Sequence, residues 1–188
     1  MPTDIVELAR SISCTHPEAL EWLHEAVRGM MPPVFCVEVG SWRGGSAIVL
    51  ADAVRRAGGG QVLCVDNWSV TDGKDGPHPV PGSVRDDFMR NITAWPEIVW
   101  DESGSPDAAA SVDRPVDMLW LDGKHTYDAL WADLCAWVLK VRRESDGGGV
   151  IVGHDYGGEP GVGRAVREFF GGRVLAGPGD IWISTARF

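Results

Sequence analysis

Six polar residues end or directly follow short apolar runs: Glu38 in VFCVEVGS, Asp66 after VLCV, Asp122 and His125 after MLWL, and His154 and Asp155 after VIVG. If those runs are strands of one open parallel sheet, their carboxyl ends share a crevice and the six side chains converge on it. Asp122 and Asp155 then bring two carboxylates together with an imidazole, His154, beside them. Such a group offers a hard divalent cation its oxygen ligands, and the cation relieves the repulsion between the acids. Mg2+ is the first candidate. His154, a softer ligand, either joins the set or only orients Asp155. His125, three residues beyond Asp122, carries a side chain suited to general-base work near neutral pH. Each residue also has a plainer reading: Asp122-Gly123 is a common turn pair, Asp155 can cap a turn, and a lone histidine is more often structural than catalytic.

The element that must position this group is Val34–Ser46, VFCVEVGSWRGGS. Val34, Phe35, Val37 and Val39 make a nearly continuous apolar strand of the kind buried on both faces of a parallel sheet. Gly40, Gly44 and Gly45 then allow positive φ and a close approach of backbone to ligand, with N–H groups opening the next helix. The spacing Glu38-x-Gly40-x-x-x-Gly44-x-Ser46 is not the G-x-G-x-x-G of dinucleotide binders. Asp66, closing the next apolar strand, stands where an acid accepts hydrogen bonds from ribose hydroxyls in such folds.

Periodicity predicts helices over 4–12 and 17–30 and a helix from Ala47 to Val54 that closes at Gly58-Gly59-Gly60. Further helices are expected at 84–92, 105–111, Tyr127–Arg143 and Gly161–Phe170, the third of these capped by Thr126. Strands are expected at 34–39, 62–65, 98–100, 116–121 and 150–152, and a C-terminal hairpin pairs 173–176 with 181–185 across Gly177-Pro178-Gly179-Asp180. The fold class is therefore α/β: a mostly parallel, seven-stranded, Rossmann-like sheet with an antiparallel hairpin at its end and helices on both faces. Residues 1–188 read as one domain, with 1–33 a helical extension and 34–188 the core. The aperiodic stretch Asn67–Ser83 leaves the crevice side of the second strand, either as a substrate loop with Trp68 against a flat ring or as a plain surface excursion.

Composition narrows the partners. A formal charge of −10 over 188 residues opposes binding to nucleic acid. No apolar run reaches membrane-spanning length, and MPTDIVELAR lacks the pattern of a secretion signal, so a cytoplasmic protein is expected. The cysteines Cys14, Cys36, Cys64 and Cys135 are scattered and read as reduced, mostly buried thiols; most of the nine tryptophans read as core.

VEVGSWRGGS, a ribose-type acid at Asp66, MLWLDGKHTYDAL, and VIVGHDY followed by GVGRAVREFF resemble, in order, the blocks of class I S-adenosylmethionine-dependent methyltransferases. The similarity is greatest to metal-dependent small-molecule O-methyltransferases, of the catechol type and of the kind acting on sugar hydroxyls in antibiotic and glycan biosynthesis. That resemblance implies S-adenosylmethionine as cofactor, held by Glu38, Gly40, Ser41, Gly44, Ser46, Asp66, Asn67, Trp68, Ser105 and Asp122. It implies a metal, Mg2+ first, on Asp122, Asp155 and His154, with His125 and Asp122 catalytic, and a small-molecule hydroxyl as acceptor. A metal-free methyltransferase using His125 and His154, a non-catalytic cofactor-binding subunit and a nicotinamide oxidoreductase remain alternatives. Chain size, helix candidates over Ser11–Met30 and the tryptophan count lead to the expectation of a homo-oligomer whose N-terminal helices cover neighbouring sites.

Overall fold

The computed structural model describes residues 2–69 and 83–186. Seven strands, β1 (Val34–Val39), β2 (Gly60–Val65), β3 (Ile98–Asp101), β4 (Met118–Leu121), β5 (Val150–Gly153), β6 (Val174–Ala176) and β7 (Trp182–Ser184), form one sheet in the order β3-β2-β1-β4-β5-β7-β6. The first five run parallel; β7 is antiparallel to both β5 and β6. The order reverses between β1 and β4, which makes their carboxyl ends the switch point where such sheets bind ligands. Backbone bonds carry the ladder right up to the polar residues, as in Gly40 N–H to Val65 O (2.9 Å), Asp122 N–H to Val39 O (2.9 Å) and His154 N–H to Leu121 O (3.1 Å).

Strand alternation divides the core between two faces. Val34, Cys36, Val62, Cys64, Met118 and Trp120 pack on one face against α1 (Pro2–Arg10), α2 (Pro17–Arg28), α3 (Gly45–Ala57) and α4 (Ser83–Asn91). Phe35, Val37, Val39, Leu119 and Leu121 pack on the other, against α5 (Ser105–Ser111), α6 (Tyr127–Trp137) and α7 (Pro160–Phe170). The N-terminal helices are part of this shell. Ala19, Leu20, Leu23 and Val27 of α2 are buried, and the His24 imidazole lies 2.8 Å from Asp52 of α3. The apolar face of α2 is thus packed within its own chain.

Several expectations are corrected. The helix expected to run to Arg143 ends at Trp137; a 3-10 turn over Val138–Lys140 follows, and the chain then extends so that Val141 bridges Val116. Val116 is taken by that bridge, with its N–H on Lys140 O (2.9 Å) and its carbonyl accepting from Arg142 N–H (2.8 Å), so β4 begins at Met118 rather than at 116. Most tryptophans are core, as expected: Trp120, Trp137 and Trp182 are fully buried and Trp22, Trp68, Trp95 and Trp131 pack partly buried against the two core clusters, while Trp100 on the edge strand β3 is 41% exposed. Cys36 and Cys64 are buried in strands, but Cys14 and Cys135 are exposed. Most of the Asn67–Ser83 stretch lies outside the described residues. Trp68 itself packs on Phe88, its ring 4.9 Å away, and donates its indole N–H to Trp42 O at 2.8 Å. Among the described residues, no helix is long and apolar enough to cross a membrane.

Candidate active site

A crevice of about 830 Å3 opens over the carboxyl ends of β1, β2, β3 and β4. Gly40 forms its floor at the switch point. It adopts φ +88°, and a Cβ there would overlap the backbone of Asp122 and Gly123, so only glycine lets β1 and β4 end so close together. Gly45 serves a second close approach, to Ser13 of the α1–α2 connection. That connection, through Ser13, Cys14 and Thr15, walls one side of the crevice.

Asp66 is on the wall, as expected, together with Gly40, Ser41, Ser46, Asn67, Ser105 and Asp122. Its two oxygens accept backbone N–H groups from Trp42 (2.8 Å) and Trp68 (2.7 Å). Burial raises its pKa above the ordinary value and the two amide bonds work against that rise. Trp42 and Trp68 both hold φ +45°, an uncommon backbone for a bulky residue. The acid is therefore gripped from both sides and its remaining lone pairs are left for a ligand. Glu38, Gly44 and Trp68 do not line the crevice. Glu38 shares the strand face of Cys36 and turns beneath α3, where it accepts from Ser46 Oγ (2.5 Å) and Cys64 Sγ (3.3 Å). Complete burial pushes its pKa up to about 7, against the bonds from Ser46 and Cys64. It ties the glycine turn to the sheet from below.

At the β4 and β5 ends the chemistry-bearing residues do meet. One ligand atom each from Asp122, His154 and Asp155 falls within 4.8 Å of the others. His154 Nδ1 is 3.3 Å from Asp155 Oδ2, and His125 Nε2 is 3.1 Å from the same oxygen. Both imidazoles lie farther from Asp122 Oδ1, His154 at 3.8 Å and His125 at 4.0 Å. Asp122 and His125 face the crevice; His154 and Asp155 sit behind them around a void of about 10 Å3, room for one water-sized occupant. Burial raises Asp122 despite His154 nearby. Asp155 is lowered, because His154 and His125 outweigh its burial. Burial pulls His154 down, yet its bond to Asp155 and the field of Asp122 prevail and set it at about 9.

Two carboxylates and an imidazole around a water-sized void fit a divalent cation, and the nitrogen donor widens the choice from Mg2+ toward Mn2+ or Zn2+. Sequence reading missed two neighbours. Thr15 donates to Asp122 Oδ2 at 3.3 Å, and His16 Nδ1 lies 3.4 Å from His154 Nε2. Both come from the N-terminal extension, and nothing local in SCTHPE announces a long-range contact. Asp133 also escaped notice, although an acid on the stripe Leu130, Leu134 and Trp137 of α6 breaks its apolar pattern.

A parallel sheet reversing at β1/β4, an antiparallel β7, a glycine turn and a gripped acid at the β2 end define a class I S-adenosylmethionine-dependent methyltransferase. Residues 37–156, more than half of the chain, match the family described as "Methyltransferase domain", and the chain belongs to that family. No curated protein is significantly similar in sequence. Among solved structures, the O-methyltransferase NovP is similar at TM-score 0.66 and 19% identity, covering 92% of this chain and 81% of that one. The S-adenosylhomocysteine-bound methyltransferase PaMTH1 of Podospora anserina gives TM-score 0.64 and 13% identity, covering 97% and 85%. TomG, an O-methyltransferase of Streptomyces achromogenes involved in tomaymycin synthesis and solved with S-adenosylmethionine, gives 0.62 and 16%, covering 98% and 89%. At these identities the likeness is one of fold.

Proposed function

We propose that the protein transfers the methyl group of S-adenosylmethionine to a hydroxyl of a small molecule, at a site formed by Asp122, His125, His154 and Asp155. The observation that carries this reading is the meeting of Asp122, His154 and Asp155 within 4.8 Å, with His125 on the crevice side of the group. The fold provides the methyl donor's crevice; a hydroxyl acceptor needs a proton removed and its oxygen aligned behind the methyl group. Asp122 and Asp155, with His154, would hold a divalent cation, which when bound lowers the pKa of a hydroxyl as a Lewis acid. His125, with Asp155 3.1 Å from its Nε2, takes the proton: the carboxylate orients the ring and balances the charge it acquires. Asp66 accepts from the cofactor's ribose, and the amides of Trp42 and Trp68 keep it facing the crevice. The excess of negative charge supports a small acceptor over nucleic acid.

One observation favours a metal-free variant. With its pKa near 9, His154 is an imidazolium between Asp155 and Asp122 and supplies a positive charge there by itself. Methyl transfer to catechol and to simple glycosides, assayed with labelled S-adenosylmethionine before and after exhaustive chelation, separates the two. Activity that disappears with EDTA and returns with Mg2+ or Mn2+ supports the metal; activity indifferent to chelation supports the imidazolium.

A further inference from the structure

We infer that Thr15 and His16, in the α1–α2 connection, are positioning residues for the cation group, so that ion binding and docking of the N-terminal helices support one another. The inference rests on the reading of Asp122, His154 and Asp155 as a divalent-cation site. Thr15 is buried, lines the crevice and donates its hydroxyl to Asp122 Oδ2 at 3.3 Å. That bond engages one oxygen and leaves Oδ1, 3.8 Å from His154, to face the group. His154 presents Nδ1 to Asp155 and Asp122, so an ion held there leaves the ring's proton on Nε2. His16 Nδ1 stands 3.4 Å from that Nε2, with the ring centroids 5.5 Å apart. A ligand imidazole whose far nitrogen donates to a fixed acceptor is held in orientation and made a better ligand.

His16 occupies the N-cap of α2, where Ser, Thr, Asp or Asn would bond the first free amides, yet its side chain caps nothing and turns to His154 instead. Its carbonyl still starts the helix, accepting the amides of Ala19 (3.0 Å) and Leu20 (3.2 Å). Two close approaches hold the connection in place. Gly45 leaves no room for a Cβ beside Ser13, whose Oγ accepts Thr15 N–H at 3.0 Å. Gly179, at φ +62°, packs its backbone on His16 and Ala19, and the same backbone hydrogen-bonds His154. The connection is fixed on both sides, and a change at His154 reaches the first turn of α2 through one side chain.

The test titrates Mn2+ into the S-adenosylhomocysteine-loaded full chain as wild type, His16→Ala and Thr15→Val, with the free ion read by electron paramagnetic resonance and folding verified by thermal melts. His16→Ala is expected to weaken Mn2+ by about 10–100-fold, the usual effect of removing an outer partner of a metal-bound histidine. Thr15→Val, which keeps the shape and loses the hydroxyl, should weaken it by about 3–10-fold. His16 is not among the residues lining the crevice, so His16→Ala should bind S-adenosylhomocysteine within a few fold of wild type. Linkage is reciprocal: Mn2+ should slow hydrogen exchange at the Ala19 and Leu20 amides of the wild type and leave them unchanged in His16→Ala, a response that a merely structural histidine would not give. Undiminished Mn2+ affinity in folded His16→Ala or Thr15→Val overturns the role of that residue. Wild-type amides at Ala19 and Leu20 that ignore saturating Mn2+ overturn the coupling and leave the cation reading in place. Failure of the wild type to bind Mn2+ at all overturns the cation reading and this inference with it.

Discussion

The two ends of the crevice are built on opposite principles. At the cofactor end each acid is held by uncharged donors: Asp66 by two backbone amides, Glu38 by Ser46 and Cys64. At the proposed acceptor end, two carboxylates and two imidazoles crowd together: Asp155 lies 3.1 Å from His125 and 3.3 Å from His154, and Asp122 has both imidazoles within 4.0 Å besides its bond from Thr15. The first arrangement fixes geometry through neutral donors, with the buried Glu38 its one group that titrates near neutral pH. The second holds charges whose balance depends on a proton or an ion, which is what a site for proton removal needs. On the proposed reading, recognition is built from backbone at the β1 and β2 ends, and chemistry from titratable side chains at the β4 and β5 ends.

Substitutions that respect this division should separate its two halves. The largest effect is expected at the acceptor end: Asp155→Asn and Asp122→Asn should each lower turnover of a hydroxyl acceptor by about 10³-fold or more. Calorimetry should find their affinity for S-adenosylhomocysteine within a few fold of wild type. His125→Ala is expected to slow turnover by about 10²–10⁴-fold, the usual worth of a positioned base, while retaining both cofactor and ion. A His125→Ala protein with unchanged rate would move the base elsewhere.

At the cofactor end the order inverts. Asp66→Ala should weaken S-adenosylhomocysteine by roughly 1.5–3 kcal/mol, the range for a lost bond to a charged acceptor, with no effect on ion binding. Glu38 gives the smallest and most conditional effect. Its pKa rises from the ordinary 4.5 to about 7 in the folded protein, so between those values the native state holds a proton that the unfolded chain has lost. Stability from this group is greatest below about pH 4.5 and declines as the pH rises to about 7. Glu38→Gln should remove that decline and raise stability at pH 8 by about 1–3 kcal/mol. Urea titrations at pH 5 and pH 8 check it, and a variant as pH-sensitive as the wild type would contradict it.

Much of this division was legible in the residues. Apolar runs ending in acids, glycines before a helical pattern and a closing hairpin located five parallel strands, their helices and the β4 and β5 group. Glu38 lies beneath the crevice for a reason equally local: two residues from Cys36, it shares the strand face that packs under α3, while Val37 and Val39 face the other way. The end of α6 was set by the pairing of Val141 with Val116, a contact 25 residues apart in sequence that no helical period records. The same holds for Thr15 and His16, which reach Asp122 and His154 only because Ser13 packs against Gly45. Long-range packing, and the positive φ of Trp42 and Trp68 that grips Asp66, are properties of the assembled fold.

The central claim is that Asp122, His154 and Asp155 hold a divalent ion independently of the cofactor's own contacts. Titration of Mn2+ into the S-adenosylhomocysteine-loaded protein, followed by the loss of the free-ion signal in electron paramagnetic resonance, tests it most directly. The account predicts one ion bound per wild-type chain and none in Asp155→Asn, with S-adenosylhomocysteine affinity nearly the same in both. No bound Mn2+ in the loaded wild type, or equal binding in Asp155→Asn, would contradict it.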